Sequence, residues 1–262
     1  MTPEYSESPH VATPRQRVAF FGGSFDPPHF GHLGIARAAQ RALALDLILF
    51  APVARQPLKA NHAAPTDFAH RAAMTQLAIA REPRFALSLV DAPTPDGLPN
   101  FTFSTLERLR ETLTQPTEVF LLIGADSLAQ FSQWYRAAEI PFLATLVVAA
   151  RPGDSSAAFH HPELWLPAPL QAGPWRSAGP WRSAGPWRSA GPWTSAAPGL
   201  RSCSLSDASG RQATLHFLEE PDFPIRATEL RELLTHAPDS ELSTLLPPAV
   251  LQYIRSNHLY TR

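Results

Sequence analysis

The chain has 262 residues, which suits one α/β domain with an insertion or two small domains. Apolar residues make up 44% of it, enough to build a sizeable core. The formal net charge is −1, from 22 Lys and Arg against 23 Asp and Glu. This balance argues against a broad basic surface, and therefore against a general nucleic-acid binder.

Cysteine content and hydropathy indicate the cellular compartment in which the protein is expected. The single cysteine, Cys203, excludes an intramolecular disulfide and any metal site built from several thiolates. Residues 1–15 are rich in Pro, Ser and Glu and lack an apolar h-region, so we expect a disordered tail rather than a secretory signal. No apolar run reaches the ~20 residues that a membrane helix needs. We therefore expect a cytoplasmic protein with no membrane partner.

Short apolar runs alternate with segments whose apolar residues recur at helical spacing. In chain order the predicted elements are strand 17–21, helix 31–45, strand 47–50, helix 66–80 with Thr66 as N-cap, strand 85–90, helix 104–113, strand 119–123, helix 127–138, strand 143–149, strand 213–218, helix 227–234 and helix 247–256. This alternation predicts an α/β fold, a Rossmann-like parallel sheet with helices on both faces. In such sheets ligands bind beyond the carboxyl ends of the strands.

Residues 154–212 interrupt the alternation. The hexapeptide Gly-Pro-Trp-Arg-Ser-Ala occurs at 173–178, 179–184 and 185–190, and a fourth copy at 191–196 has Thr194 in place of the arginine. Because every copy contains Gly-Pro, which interrupts regular structure, we expect a flexible insertion produced by repeat expansion. A Trp/Arg docking segment is the alternative. The prediction is thus one domain over 16–262, interrupted at about 154–212.

Residues 22–32, with the sequence GGSFDPPHFGH, follow the first strand and open the first helix. The two glycines let the backbone approach a phosphate closely, and a helix start points free N–H groups at an anion. His29 and His32 lie three residues apart, so they share one face at the helix entrance and can donate to phosphate oxygens. This combination predicts a triphosphate site. A plain glycine turn with two exposed histidines, or a His-x-x-His metal site, is the alternative.

Ser24-Phe25-Asp26-Pro27 followed by His29-x-Gly31-His32 resembles the signature of the nucleotidyltransferase superfamily with the His-x-Gly-His motif. The resemblance implies that His29 and His32 are the catalytic residues, which bind the ATP phosphates and stabilise the transition state. It also implies ATP contacts from the segment 22–25, namely Gly22, Gly23, Ser24 and Phe25. Mg²⁺ would arrive with ATP, without a metal site of the protein's own, and no covalent intermediate would form. Positioning and charge stabilisation suffice for such chemistry.

Residues 225–231, far downstream, resemble the superfamily's Ile-Ser-Ser-Thr-x-Ile-Arg element. The resemblance implies that Thr228 and Arg231 bind ATP phosphates. Arg226 and Ala227 stand where the family has two serines. Without the resemblance, the segment is equally consistent with a plain helix cap and a surface arginine.

Residues 124–135 resemble the fourth-strand segment of bacterial nicotinate-nucleotide adenylyltransferases. The resemblance implies that Gly124 and Asp126 meet the ATP nucleotide, Asp126 through ribose hydroxyls, and that Trp134 stacks on the pyridine ring beside Tyr135. Stacking of this kind is worth about 1 kcal/mol. From the residues alone, Trp134 could instead pack in the core and Asp126 could cap a helix.

Three further segments resemble the same family. Residues 52–59 resemble its Pro-x-x-x-x-Pro-His-Lys loop, which implies a phosphate contact for Lys59, although Leu58 replaces the histidine. Residues 101–106 resemble Tyr-Thr-x-Asp-Thr-Leu, which implies that Thr102 helps to hold the nicotinate carboxylate. Arg151, in Arg-Pro-Gly, resembles the end of the fifth strand and is assigned to ATP. Arg71 matches the second helix, where we expect packing and loop support.

The resemblance covers about residues 17–153 and 213–260. It implies adenylyl transfer from ATP to nicotinate mononucleotide, giving nicotinate adenine dinucleotide and pyrophosphate, a step of NAD biosynthesis. The alternatives are an adenylyltransferase for nicotinamide mononucleotide or phosphopantetheine, and a catalytically silent nucleotide-binding module that docks through the Trp/Arg repeat. The sequence leaves open the oligomeric state, a homo-oligomer included, and the strictness of the preference for nicotinate.

Overall fold

The computed structural model describes residues 15–59, 66–149, 161, 164–177, 199–218 and 226–261. Within these residues nine strands form one sheet with the spatial order β3-β2-β1-β4-β5-β9-β8-β6, and β7 pairs with β8. The strands are β1 Gln16–Gly23, β2 Leu47–Pro52, β3 Phe85–Leu87, β4 Thr117–Gly124, β5 Thr145–Ala149, β6 Gln171–Ala172, β7 Arg176–Ser177, β8 Leu200–Ser206 and β9 Gln212–Leu218.

Six neighbouring strands, from β3 across to β9, pair in parallel, which confirms the predicted α/β class. From β1 the chain first adds β2 and β3 on one side, then returns to place β4 on the other. The strand order therefore reverses between β1 and β4, where open parallel sheets form a ligand crevice. Gly22 and Gly23 end β1 and Gly124 ends β4, so both strand ends meet at that crevice.

The sheet is covered on both faces. Along β4, side chains alternate: Val119, Leu121 and Ile123 pack with one cluster, whereas Phe120 and Leu122 pack with the other. The described α-helices are α1 Phe30–Leu43, α2 Phe68–Ile79, α3 Thr102–Thr112, α4 Ala125–Leu128, α5 Ile140–Leu143, α6 Ala227–Leu234, α7 Asp239–Leu242 and α8 Pro248–Ser256. Helix α1 covers the Phe120 face, and α3, α4 and α5 cover the Val119 face. A third cluster joins α2 to the three C-terminal helices, α6–α8.

Several predicted boundaries are wrong for identifiable reasons. The helix expected over 127–138 is only α4, followed by 3-10 turns at Phe131–Gln133 and Ala137–Glu139. The extended backbone of Trp134 and the left-handed φ of 51° at Arg136 separate these two turns. The fifth strand starts at Thr145, since α5 precedes it with Pro141 in its first turn, where proline is tolerated. The N-cap of α2 is Asp67 rather than Thr66.

Part of the expected flexible insertion belongs to the sheet. Strand β8 pairs antiparallel with β9 along seven residues, and two residues of β8, Cys203 and Leu205, are buried. Trp175, in the first repeat copy, packs edge-on against Phe217 with ring centroids 5.0 Å apart. The expectation of a flexible segment without regular structure is therefore wrong for 164–177 and 199–206. The three later copies and the N-terminal tail 1–14 lie outside the described residues, and the single-domain interpretation stays a prediction.

No helix in the described part of the chain is long and apolar enough to cross a membrane.

Candidate functional site

The turn after β1 forms the floor of the crevice. A β-carbon on Gly22 would lie 3.0 Å from Cε1 of Phe20, and one on Gly23 would lie 3.2 Å from Cζ of Phe25. The aromatic rings packed under the turn thus favour glycine at both positions, because a side chain there would press on Phe20 or Phe25. This steric reason adds to the close phosphate approach expected from the sequence, and it keeps the backbone of the turn at the crevice surface.

The two histidines form a fixed pair at the start of α1. His29 is the N-cap, and its Nδ1 accepts a hydrogen bond from the Gly31 N–H at 3.1 Å. The His29 N–H donates to Nδ1 of His32 at 3.2 Å, and the ring centroids lie 3.9 Å apart. Because both Nδ1 atoms accept, each neutral ring carries its proton on Nε2. The two imidazoles therefore each have an Nε2–H group that can donate a hydrogen bond to a phosphate oxygen.

The first backbone N–H groups of α1 already have acceptors. The Phe30 N–H donates to the Leu245 carbonyl at 3.0 Å, and the His32 N–H donates to the His29 carbonyl at 3.0 Å. The Gly31 N–H, as above, is bonded to His29. The expectation that these groups point freely at an anion is therefore wrong in this structure. The groups left here for an anion are the imidazoles and the positive end of the helix dipole.

Ser24 and Phe25, both assigned to ATP, are oriented differently. The Ser24 hydroxyl accepts from Nε2 of Gln56 at 3.2 Å, a contact from the loop after β2. Phe25 has a left-handed φ of 48°, and its ring packs in the core, 5.0 Å from the His32 ring. Phe25 as a whole residue is only 1% exposed, so the structure gives the ATP assignment of Phe25 no support.

Arg71 on α2 holds this turn from below. Its Nη1 donates to the carbonyls of Ser24 and Val53 at 2.7 and 2.8 Å, and its Nε donates to the Thr66 carbonyl at 3.0 Å. Burial lowers the pKa of Arg71, and the nearby Asp26 carboxylate opposes that shift. The loop support expected of Arg71 thus takes the form of a buried guanidinium that joins three backbone segments.

Helix α6 brings the second motif to the first. Nη1 of Arg231 donates to the Asp26 carbonyl at 2.8 Å, and its Nη2 lies 3.4 Å from the Thr228 hydroxyl. Thr228 itself is exposed, whereas Arg231 is partly buried. Arg226 is the N-cap of α6, and its N–H donates to Glu229 at 3.3 Å. The alternative of an unattached surface arginine is excluded by the contact with Asp26.

The end of β4 lies across the crevice. A β-carbon on Gly124 would meet nothing within 4 Å among the described residues, so its crevice side is open. Asp126 is exposed in the first turn of α4, and the N-cap of that helix is Gly124. The alternative interpretation of Asp126 as an N-cap is therefore wrong. An exposed carboxylate at this strand end is well placed for a polar ligand.

The predicted pyridine side is built from aromatic residues. Trp134 is partly buried, with its ring 5.4 Å from the Phe131 ring, so it packs against the core as the alternative interpretation expected. Tyr135 is 51% exposed and lies 5.1 Å from the Phe101 ring. Thr102, the first residue of α3, follows Phe101 directly. The contact between Phe101 and Tyr135 therefore brings the start of α3 beside the segment that carries Trp134 and Tyr135.

Two predicted phosphate ligands cannot be located. Arg151 and the side chain of Lys59 lie outside the described residues, although the Lys59 backbone ends the 3-10 turn Pro57–Lys59. Leu58, at the position of the family's histidine, is 45% exposed. In the described ranges, no group of three or more His, Cys, Asp or Glu side chains could hold a metal ion.

Residues without a signal in the sequence connect the two ends of the site. The Ala54 N–H donates to the Asp91 carbonyl at 2.9 Å, and the Arg55 N–H donates to the Asn100 side chain at 3.3 Å. The buried Asp91 carboxylate accepts from the Thr105 hydroxyl, and burial raises the pKa of Asp91. These contacts tie the phosphate-side loop 52–59 to the start of α3. Of these residues only Thr105 matched a family motif.

Comparison with known proteins shows the family to which the chain belongs. The family model described as cytidylyltransferase-like matches residues 20–233. A probable nicotinate-nucleotide adenylyltransferase of Chromobacterium violaceum is 35% identical over 246 residues, covering 93% of this chain and 98% of the relative. The chain belongs to the nicotinate-nucleotide adenylyltransferases. A family member from Thermus thermophilus is 42% identical over 137 residues, 52% of this chain and 70% of the relative.

A solved structure shares the fold of this adenylyltransferase. The nicotinic acid mononucleotide adenylyltransferase of Plasmodium falciparum, complexed with NaAD, superposes with a TM-score of 0.63. That comparison covers 94% of this chain and 98% of the other at 14% identity. Because the match extends over nearly the whole chain, it includes the C-terminal part as well as the crevice.

Proposed function

We propose that this adenylyltransferase transfers the AMP moiety of ATP to nicotinate mononucleotide, forming nicotinate adenine dinucleotide and pyrophosphate in NAD biosynthesis. The observation that carries the proposal is the pair of Nε2–H donors formed by His29 and His32 at the carboxyl end of β1. Arg231, held against the same turn by Asp26, adds a cation. Family membership supports the choice of nucleotide substrates.

The reaction is a displacement at the α-phosphorus of ATP. A phosphate oxygen of nicotinate mononucleotide forms the new P–O bond while the bond to the bridging oxygen breaks, and the electron pair leaves with pyrophosphate. Negative charge develops on the phosphoryl oxygens and on the leaving group. His29 and His32 donate hydrogen bonds to these oxygens, an arrangement typically worth a factor of ~10²–10³ in rate for one donor. The acceptor phosphate is already an anion, so no general base is required.

The two ends of the crevice would divide the substrates between them. In this proposal Gly22, Gly23 and Ser24, together with Thr228, meet the ATP phosphates, and Phe25 packs beneath the turn that carries them. Lys59, Arg151 and Arg231 supply cations. Gly124 and Asp126 face the ribose. Trp134, Tyr135 and Thr102 face the pyridine nucleotide, where Phe101 and Tyr135 already form an aromatic wall.

Mg²⁺ would enter as part of the ATP complex. The described carboxylates and histidines do not cluster into a site of their own, and Mg²⁺ is commonly held by substrate phosphates with a few waters. We treat MgATP as the substrate in this proposal because Mg²⁺ binds readily to the phosphates of ATP. Cytoplasmic location and oligomeric state stay predictions.

The test is pyrophosphate release from MgATP with nicotinate mononucleotide, nicotinamide mononucleotide and phosphopantetheine in parallel. We expect turnover with the first substrate, and a loss of about 10²–10³-fold in kcat for His32→Ala with ATP binding retained. Turnover with nicotinamide mononucleotide or phosphopantetheine instead would overturn the substrate assignment. ATP binding without pyrophosphate release from any of the three would favour a silent nucleotide-binding module.

A further inference from the structure

The C-terminal segment reaches back to the turn between β1 and α1, residues 24–29, which we call the catalytic turn. After α8 the chain passes His258 and Tyr260, which both adopt left-handed backbone conformations with φ of 52° and 58°. Such conformations cost roughly 1 kcal/mol or more each in non-glycine residues and persist where surrounding contacts hold them. The Leu259 N–H donates to the Ile254 carbonyl at 3.1 Å, which helps to fold this segment against α8.

The contact that holds Tyr260 is with Asp26. Its hydroxyl donates to Oδ1 of Asp26 across 234 residues of sequence. Asp26 is 1% exposed, and its Oδ2 is buried without a hydrogen-bond partner among the described residues. The Tyr260 hydroxyl is therefore the side-chain donor that the structure gives this buried carboxylate. Burial, reinforced by Asp26, raises the pKa of Tyr260, so the hydroxyl stays a neutral donor.

Asp26 lies at the centre of the catalytic turn, two residues after Ser24 and three before His29. Arg71 holds one side of the turn through the Ser24 carbonyl, and Arg231 holds its middle through the Asp26 carbonyl. Both of these contacts are to the backbone. Among the described hydrogen bonds, the one from Tyr260 is the only one to the side chain of Asp26.

We infer that Tyr260 is a positioning residue for adenylyl transfer, which acts through Asp26 to hold the turn that carries His29 and His32. The Tyr260 hydroxyl donates to Asp26, so its effect is on the placement of the histidine Nε2–H groups rather than on the chemistry. Transition-state stabilisation depends on such placement to within a fraction of an ångström. The inference rests on the proposed function for its kinetic readout.

The variant that tests this is Tyr260→Phe, which removes one hydroxyl and leaves the ring. We expect kcat for pyrophosphate release to fall about 10- to 50-fold, because a buried carboxylate loses its donor, with KM for nicotinate mononucleotide unchanged within twofold. The matched control is Tyr253→Phe, in α8, whose hydroxyl bonds Nδ1 of His70 at 3.0 Å and not the turn. We expect Tyr253→Phe to keep kcat within twofold.

Thermal unfolding of both variants separates positioning from stability. We expect both phenylalanine variants to stay folded at the assay temperature and a kcat loss in Tyr260→Phe only. Equal kcat in Tyr260→Phe and the wild type, or an equal loss in both variants, would overturn the inference. A double-mutant cycle with Asp26→Ala should show that the two losses are not additive, since Tyr260 acts through Asp26; additive losses would also overturn it.

A readout independent of activity distinguishes this inference from the proposed function. Long-range ¹H–¹⁵N spectra of the imidazoles report which nitrogen carries the proton, with His29→Ala and His32→Ala used for assignment. We expect Nε2–H forms in the wild type and in Tyr253→Phe, and shifted or broadened His29 and His32 signals in Tyr260→Phe. An inactive wild type whose signals respond in this way would sink the proposed function alone. Unchanged signals in Tyr260→Phe would sink the positioning role.

Discussion

The chain up to Ala149 and the chain from Leu164 onward are built differently. The first region forms five parallel strands whose ends carry His29, His32 and Asp126. The second region adds the parallel strand β9, three antiparallel strands and a cluster of C-terminal helices. It carries fewer of the predicted ligands, yet it supplies three contacts to the catalytic turn and the first residue of α1: from Arg231, Leu245 and Tyr260.

This difference shows that the crevice is not a property of the first region alone. The turn after β1 is held from below by Arg71 of the first region and from the side by residues of the second. A catalytic loop held from two regions loses its geometry when either contact is removed, even though the histidines are untouched. The predictions that follow probe each region in turn, from the largest expected effect to the smallest.

The largest effect is expected for Arg71→Met in the first region. The change leaves the buried carbonyls of Ser24, Val53 and Thr66 without their donor, and each loss costs about 1–3 kcal/mol. We expect the free energy of unfolding to fall by about 4 kcal/mol in urea titrations. Arg81→Met, an exposed arginine just after α2, is the control and should change stability by less than about 0.5 kcal/mol. Equal stability of the two variants would show that the turn does not depend on Arg71.

The second region is probed by Leu205→Ala. Leu205 is fully buried in β8, so its truncation should lower the free energy of unfolding by about 3 kcal/mol. Its neighbour Ser204 is exposed on the same strand, and Ser204→Ala should have almost no effect. The measurement is urea unfolding followed by tryptophan fluorescence. If Leu205→Ala also left the free energy of unfolding unchanged, β8 would not contribute to the stability of the fold. The second region would then not support the first in the way described above.

The first and second regions meet where β9 pairs with β5, and His216 lies in β9. We expect the free energy of unfolding to depend on pH through this histidine. Burial, reinforced by Arg17, lowers the pKa of His216 to about 4 from 6.5, and its Nδ1 lies 2.7 Å from the Ser202 hydroxyl. Between these pH values the unfolded chain binds a proton that the folded chain does not. Stability is therefore fully present above pH 6.5 and is lost as the pH falls toward 4.

At pH 5 the loss from this one group should reach about 2 kcal/mol relative to pH 7. His216→Gln should remove most of that difference in urea titrations at the two pH values. His236→Gln, at an exposed position after α6, serves as the control and should keep the wild-type pH dependence. A slope unaltered by His216→Gln would assign the acid sensitivity to other groups.

The smallest effect is expected for Gln56→Ala. Its amide donates to the Ser24 hydroxyl from the loop after β2, a partly buried contact. Loss of one neutral hydrogen bond is worth about 1 kcal/mol, so kcat/KM for MgATP should fall about fivefold. Gln252→Ala on the exposed side of α8 provides the matched control. A loss above about 100-fold would mean that Gln56 touches the substrate itself.

Much of the first region could be predicted from the sequence because its signals are local. Apolar runs ended by Gly22-Gly23 and Gly124 indicated strands of a parallel sheet, and such sheets bring their carboxyl ends together. The motif in 22–32 located the histidines at one of these ends, and the structure confirms that they begin α1. The match of residues 225–231 indicated a phosphate element, and Arg231 does reach the catalytic turn.

Pairing across long separations could not be predicted in this way. Three of the seven residues of β8 are serines, so its apolar signal is weak. It is a strand because β9 supplies hydrogen-bond partners and a buried face for Cys203 and Leu205. The acceptors of the first α1 N–H groups include the distant Leu245 carbonyl, which no local pattern reveals. The same holds for the Tyr260 contact with Asp26.

The sequence by itself determined the parallel α/β core, the family and the placement of His29 and His32, because periodicity, glycine positions and motif spacing act over a few residues. Tertiary structure alone decided which side chains hold the catalytic turn. The physical reason is that burial and hydrogen bonding are satisfied by whichever groups the fold brings together, and Arg71, Arg231 and Tyr260 meet the turn from 47, 205 and 234 residues away.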